Sequence, residues 1–238
     1  MDGTPESRLL VSHPEKRVEI APSYAVRPVK PNDLEALVGM HLQQFPEGFY
    51  ARLGQKFMRT YFSEYFRSPG AIGLVAQESE GTGVIGYLIG TTDEDVHEHF
   101  MHRRAAPALT LAGGSALIRR PLLLGNFLRH RALWYTRRYV SGVKHTRRPS
   151  SSPRSGELLY ICTKSENRRQ GIGAALLRSF VEAAQREQTV RLHLVSEKSN
   201  TPAHDFYRHR GWQVISESMT RDERPLVKME LCLGGSTT

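Results

Sequence analysis

Arg168-Arg169-Gln170-Gly171-Ile172-Gly173 has the composition of an anion cradle. The apolar residues 158–162 just before it suit a buried strand. After it, Ile172, Ala175, Leu176, Ser179, Phe180, Ala183 and Ala184 recur on one face of a helix. Two glycines where a strand turns into a helix leave the first-turn N–H groups unblocked. Those groups and the positive end of the helix dipole attract an anion. Arg168 and Arg169 add guanidinium forks that can grip phosphate. The stretch therefore predicts a phosphate-bearing ligand at residues 168–174. The plainer alternative is a tight turn whose glycines only relieve crowding. The pattern is not Gly-x-x-x-x-Gly-Lys-Ser/Thr, and Leu176 stands where Gly-x-Gly-x-x-Gly needs its third glycine.

Other reactive side chains are less ordered by spacing. His97, His99 and His102 lie close together, but only Glu98 accompanies them, so no metal site is expected there. His193 reads as a strand residue without a catalytic role, and Glu197 closes the same run.

The elements that must position the cradle can be read in order. Residues 1–22, with prolines at 5, 14 and 22, form a flexible arm. Tyr24 to Val29 is a strand, and Pro31-Asn32-Asp33 opens a helix that runs to about Gln44. An aromatic turn, Phe45 to Phe49, leads to a second helix, Ala51 to Phe66. Ala71–Gln77 and Val84–Thr91 make a hairpin. Two helical stretches follow, about Ala105–Ile118 and Pro121–Tyr139, and then a basic Ser/Pro-rich run from Lys144 to Ser155. Beyond the cradle come a strand at Val190–Ser196, a short helix at Thr201–His209, and strands at Trp212–Ser218 and Leu226–Leu233. We expect a single domain over 23–233, with a basic helical insertion at 97–156 and a tail at 234–238.

The 238 residues carry a net charge of +9, unevenly placed. From Arg103 to Gly156 there are twelve Lys or Arg and no Asp or Glu. The rest of the chain holds 21 basic and 24 acidic residues, so this segment carries the whole excess. Cys162 and Cys232 both fall in strand-like apolar runs and are expected as buried thiols of a reducing compartment. The N-terminus lacks the basic and apolar regions of a signal peptide. The longest apolar run, Ala105 to Leu128, is interrupted by Arg119 and Arg120. A soluble cytoplasmic protein is the expectation.

The element order and two motifs resemble the GNAT superfamily of N-acetyltransferases. Arg168 to Gly173 is similar to that family's acetyl-CoA signature, Gln/Arg-x-x-Gly-x-Gly/Ala. Asn200-Thr-Pro-Ala-His-Asp-Phe-Tyr207 with Gly211-Trp212 is similar to its second motif, with Trp in place of Phe. Residues 157–212 carry the resemblance strongly, residues 24–92 in element order only, and residues 93–156 have no counterpart in the minimal fold. The resemblance implies an α/β (α+β) fold: a mixed, mostly antiparallel sheet of about seven strands flanked by helices.

It also implies acetyl-CoA, or another short acyl-CoA, as co-substrate and no metal. The pyrophosphate would sit on Arg168, Arg169, Gln170, Gly171, Ile172, Gly173 and Ala174. The pantetheine arm would pair with backbone at Ile161, Cys162 and Thr163, and Asn200 would bond the same arm or cap its helix. Tyr207 would be the general acid toward the thiolate, with Phe206 as the core aromatic beside it. Glu157, where many relatives carry a glutamate acting through water, would be the base, with Glu197 a weaker candidate. Tyr207 as a core aromatic and Glu157 as a strand-end charge are the alternatives. The family usually has proline where Ser165 stands, so this loop is expected to be less rigid.

Phe45 and Phe49 are expected to wall the acceptor site. The acceptor is read as a small-molecule amine such as an amino sugar or biosynthetic intermediate, with a protein amine second. A non-catalytic acyl-CoA sensor or scaffold is the reading from another class. Three roles compete for the insertion: a lid, recognition of a phosphorylated acceptor or anionic carrier protein, and contact with an acidic membrane surface. No pattern favours nucleic acid. A homodimer is compatible with the sequence.

Overall fold

The computed structural model describes residues 23–81, 83–130, 153–220 and 223–234. The expected arm 1–22, the end of the helix expected to reach Tyr139, and the run Lys144 to Ser152 lie outside the described residues.

Seven strands form one sheet: β1 (Tyr24–Pro28), β2 (Ala71–Glu78), β3 (Val84–Thr91), β4 (Arg154–Thr163), β5 (Thr189–Glu197), β6 (Gln213–Met219) and β7 (Pro225–Cys232). Their order is β1-β2-β3-β4-β5-β7-β6. Every pairing is antiparallel except β4 with β5. The helices are α1 (Leu34–Gln44), α2 (Phe49–Arg52), α3 (Gln55–Phe66), α4 (Glu94–Phe100), α5 (Ala106–Ile118), α6 (Pro121–His130), α7 (Ile172–Arg186) and α8 (Thr201–Arg208). The helical segment between β3 and β4 thus begins at Glu94, and α4 runs into α5 through a π-helical turn at Met101–Ala105.

The sheet has a core on each face. α7 lays Ile172, Leu176, Leu177, Phe180 and Ala184 against Leu74, Leu88, Leu158, Leu192 and Leu194, with Tyr207, Trp212 and Met229 in the same cluster. On the other face α1 and α3 pack Leu37, Val38, Phe57, Phe62 and Tyr65 against Val75, Tyr87 and Ile89, joined by Leu117 and Leu123 from the insertion. β3 is buried along its whole length because it is covered on both faces.

Three expectations are corrected. Pro31–Asp33 is a 3-10 turn ahead of α1, pinned by a bidentate Arg27–Asp33 pair (2.7 and 2.8 Å). The expected single helix 51–66 is two, α2 and α3, broken at Gly54, whose φ is +91°. The break depends on a distant partner. The Arg120 guanidinium lies 2.8 Å from where a Gly54 β-carbon would sit and donates to the Arg52 carbonyl at 2.5 Å. Cys232 is exposed rather than buried, because β7 ends there, while Cys162 is half-buried.

Glycine makes room for β4 at Gly156. A β-carbon there would sit 2.4 Å from the Thr91 carbonyl oxygen and 2.7 Å from Leu192 Cδ2. Gly156→Ala is therefore expected to destabilise the fold by about 1–3 kcal/mol. Gly39→Ala, which meets nothing within 4 Å inside α1, should stabilise by about 0.5–1 kcal/mol. Denaturant midpoints of the two variants, moving in opposite directions, check this.

Candidate active site

β4 and β5 run parallel only briefly. They pair from Arg154↔Thr189 to Glu157↔His193 and no further. Beyond that point β4 pairs only with β3, and β5 only with β7. The parting coincides with a bulge. Gly90 faces Leu158 but Ile89 faces Tyr160, so Leu159 is the extra residue. A bulge bends its strand and increases the local twist. Leu158 and Ile161 consequently pack toward α7, whereas Leu159, Tyr160 and Cys162 pack toward α1 and α3. The edge of β4 carrying Ile161, Cys162 and Thr163 faces the opening with no strand paired to it. Such an edge accepts an extended chain with amide groups.

The cradle closes one end of this opening. Gly171 caps α7 with φ +80° and no side-chain cap, and Arg169 is also left-handed at φ 62°. The first helical bond is from Ala175 N–H to the Gly171 carbonyl. The N–H groups of Ile172, Gly173 and Ala174 are thus left to an outside acceptor. The Ile172 side chain is buried in the core, so it anchors the turn from below. A β-carbon at Gly173 would sit 3.7 Å from the Phe206 ring. Arg168 reaches back to α1, donating to Gln44 Oε1 at 2.8 Å, and Gln170 donates to the Glu166 carbonyl at 3.5 Å. Ser165 opens a 3-10 turn between strand and cradle.

Asn200 caps α8, its Oδ1 accepting from Ala203 N–H at 3.4 Å. Tyr207 is 5% exposed and packs 5.6 Å from Trp212. Burial pushes its hydroxyl well above the ordinary tyrosine range. Phe206 is half-buried, with the Arg210 guanidinium 3.9 Å above its ring. The expected division of labour between the two is therefore reversed in burial. His204 and Tyr207, three apart, form the buried stripe of α8, and Phe206 sits off that stripe beside the cradle.

Glu157 lies at the other end of the opening. Its carboxylate, that of Glu94 and the His193 ring offer atoms within 4.8 Å of one another. His193 Nε2 is 3.5 Å from Glu94 Oε2. Burial first, then the Glu94 charge, pushes Glu157 up to about 7, with Lys228 opposing. Burial, with Lys228 and Arg191, pushes His193 down to about 4. His193 is thus a strand residue, as expected, but one with acidic company.

The aromatic turn flanks the same place. Phe45 lies 5.1 Å from His41 and 5.7 Å from Tyr160, while Phe49 packs one ring further out against Tyr50 at 6.0 Å. Burial and Glu157 push the Tyr160 hydroxyl up to about 12. Glu197 pairs with Arg224 at the far end of β5.

Residues 128–212 match the model of the acetyltransferase (GNAT) family, a span containing β4, the cradle and α8. That segment of the chain is similar to the GNAT family. Acyl transfer from acyl-CoA to an amine is that family's chemistry. No curated protein matches the sequence significantly. Solved structures share the fold at low identity. A GCN5-related N-acetyltransferase from Kribbella flavida is 14% identical at a TM-score of 0.57, covering 89% of this chain and 98% of its own. The ribosomal-protein-S18-alanine N-acetyltransferase from Escherichia coli is 14% identical at 0.51, covering 90% and 98%. A NatC complex bound to Gag peptide and CoA contains a chain 11% identical at 0.53, covering 89% and 99%.

Three features of this site escaped the sequence reading. Glu94 carries no motif; only the return of α4 over the β4–β5 junction brings it to Glu157. Tyr160 read as a plain strand residue until the bulge turned it toward Phe45. His41, on α1, meets the Tyr87 hydroxyl at 2.9 Å, and Tyr87 in turn bonds Cys162. That buried chain, with the Cys162 thiol pushed up to about 12 chiefly by burial, makes the thiol a packing group and not a nucleophile.

Proposed function

We propose that this protein transfers an acetyl or other short acyl group from acyl-CoA to the amine of a small molecule by direct attack. The observation that carries this reading is the opening between β4 and β5. One end holds a bare helix N-terminus, and the other holds a half-buried carboxylate pushed up to about 7. In this reading the N–H groups of Ile172 to Ala174, with Arg169 nearby, hold the pyrophosphate. Ile161 to Thr163 line the pantetheine arm, and Asn200 meets it from α8. The bound thioester supplies the acyl group and a thiolate leaving group.

The remaining work falls to side chains. Glu157 accepts the amine proton directly or through water, and a carboxylate near 7 is matched to that task at neutral pH. Tyr207 stays protonated, because burial raises its hydroxyl, and so it can donate toward the thiolate. A backbone N–H of β4 steadies the oxyanion.

The acceptor is read as cationic before attack. Glu94 and Glu157 cluster at the junction, and the register places Glu230 opposite His193 on the same face of the sheet. This acidic rim favours an ammonium over the anionic acceptor that the basic insertion suggested. Phe45 and Tyr160 add an apolar wall.

Calorimetry with acetyl-CoA, followed by thiol release over a panel of small amines and N-terminal peptides, tests the proposal. Binding with no thiol released by any amine would make the protein a sensor instead. Peptides outrunning every small amine would move the acceptor class. Tyr207→Phe is expected to lower kcat about 10²-fold with CoA affinity within threefold. Unchanged kcat would leave Tyr207 as a core aromatic only.

A further inference from the structure

α5 has no charged residue, yet it sits between two arginine pairs, Arg103-Arg104 and Arg119-Arg120. One face packs on α3, with Gly113 against Phe57 and Leu117 in the core. The opposite face is uncharged and uncovered, with Thr110 and Ser115 beside its aliphatic side chains. Leu111 and Ile118 are each 77% exposed and lie seven residues apart on one stripe. Leu122 at the start of α6 is 91% exposed, and Leu128 is 59% exposed. Large aliphatic side chains bared on an uncharged helix face mark a surface that another apolar phase covers. With 13 residues α5 is about 20 Å long, and no helix among those described is long and apolar enough to cross a membrane.

The surrounding charge selects the occupant. The chain from Arg103 to Gly156 holds twelve cations and no acid. Arg103, Arg104 and Arg119 are exposed at the two ends of the bare helix, while Arg120 turns back onto the Arg52 carbonyl. A second copy of this chain would bring the same positive field against itself. A soluble acidic protein would satisfy the cations but not a row of bare leucines. An anionic bilayer surface does both: its headgroups meet the arginines while its acyl boundary takes Leu111, Ile118 and Leu122.

We infer that the α5–α6 hairpin lies in the surface of an anionic membrane, holding the acyltransferase domain against the bilayer. The inference does not depend on the proposed transfer reaction, since vesicle binding is read without turnover. It would put the site within reach of amines carried on lipids.

Flotation of the full chain with vesicles of phosphatidylcholine, alone or mixed with phosphatidylglycerol, tests it. The chain should float with the mixed vesicles, bind at least tenfold less to neutral ones, and be released by high salt. A Leu111→Ser, Ile118→Ser, Leu122→Ser triple variant should lose flotation at least tenfold. It should keep the parent's melting temperature and acetyl-CoA binding, because these side chains are exposed and none belongs to the cradle. A parent chain left at the bottom of every gradient overturns the inference. So does a concentration-dependent dimer that the triple variant abolishes, or binding to an acidic acyl-carrier protein in preference to the mixed vesicles.

Discussion

Glu157→Gln is expected to lower kcat for acyl transfer by about 10²–10⁴-fold, the usual contribution of a positioned general base. The same change should abolish a limb of the pH profile. With Glu157 at about 7 in the folded protein, kcat/KM of the parent should rise as pH passes through about 7, where the carboxylate loses its proton. The variant should lack that limb while keeping any limb due to the amine itself. Glu94→Gln separates causes: removing the neighbouring charge should shift the limb to lower pH without erasing it.

Stability moves in the linked direction. The ordinary value is 4.5 and the folded value about 7, so the folded state holds this proton more tightly. The resulting stability is fully present below about 4.5 and is lost as pH rises through about 7. A shift of this size corresponds to something on the order of 3 kcal/mol. Glu157→Gln, which has no charge to bury, should gain stability relative to the parent between acid and alkaline pH. Denaturant melts at both ends of that range, beside stopped assays of thiol release, read the two effects independently. A variant with unchanged turnover would strip Glu157 of the base role even if the stability shift appears.

What was legible in the sequence was whatever local periodicity and turn chemistry encode. Gly171 and Gly173 before an apolar helical stripe located the cradle, and Asn200 followed by Ala203 and Tyr207 located the helix opposite. The places of the strands along the chain followed from segments of alternating or continuous apolar residues. The features that escaped it depend on long-range contact. The break at Gly54 is met by Arg120, 66 residues later in the chain, which donates to the Arg52 carbonyl. Glu94 and His193 meet only because β4 and β5 are paired at Glu157. The bulge at Leu159 carries no glycine or proline to announce it, yet it turns Tyr160 toward Phe45 where the strands part. The inversion of Tyr207 and Phe206 was readable in principle: a buried stripe through His204 and Tyr207 already points one ring at the core.

Gly171→Glu is expected to weaken acetyl-CoA binding by at least about 100-fold, a loss near 3 kcal/mol by the usual equivalence. Two terms act at this position and have opposite effects on folding. Gly171 stands at φ +80°, where a β-carbon costs roughly 1–2 kcal/mol. A carboxylate at a helix N-terminus returns about 0.3–1 kcal/mol through the dipole. The fold should therefore survive, since the nearest atom to the new β-carbon is the Tyr24 hydroxyl at 3.4 Å. For the ligand the carboxylate has two effects in the same sense. The new carboxylate competes for the N–H groups of Ile172 to Ala174 and repels a pyrophosphate arriving there. Gly171→Ala isolates the strain: it should lose stability of the same order while binding acetyl-CoA within about threefold of the parent, because no charge enters the cradle. Calorimetry on all three proteins decides the matter. Normal binding by the glutamate variant would mean that the phosphates rest elsewhere, and that the two glycines serve only the turn from β4 into α7.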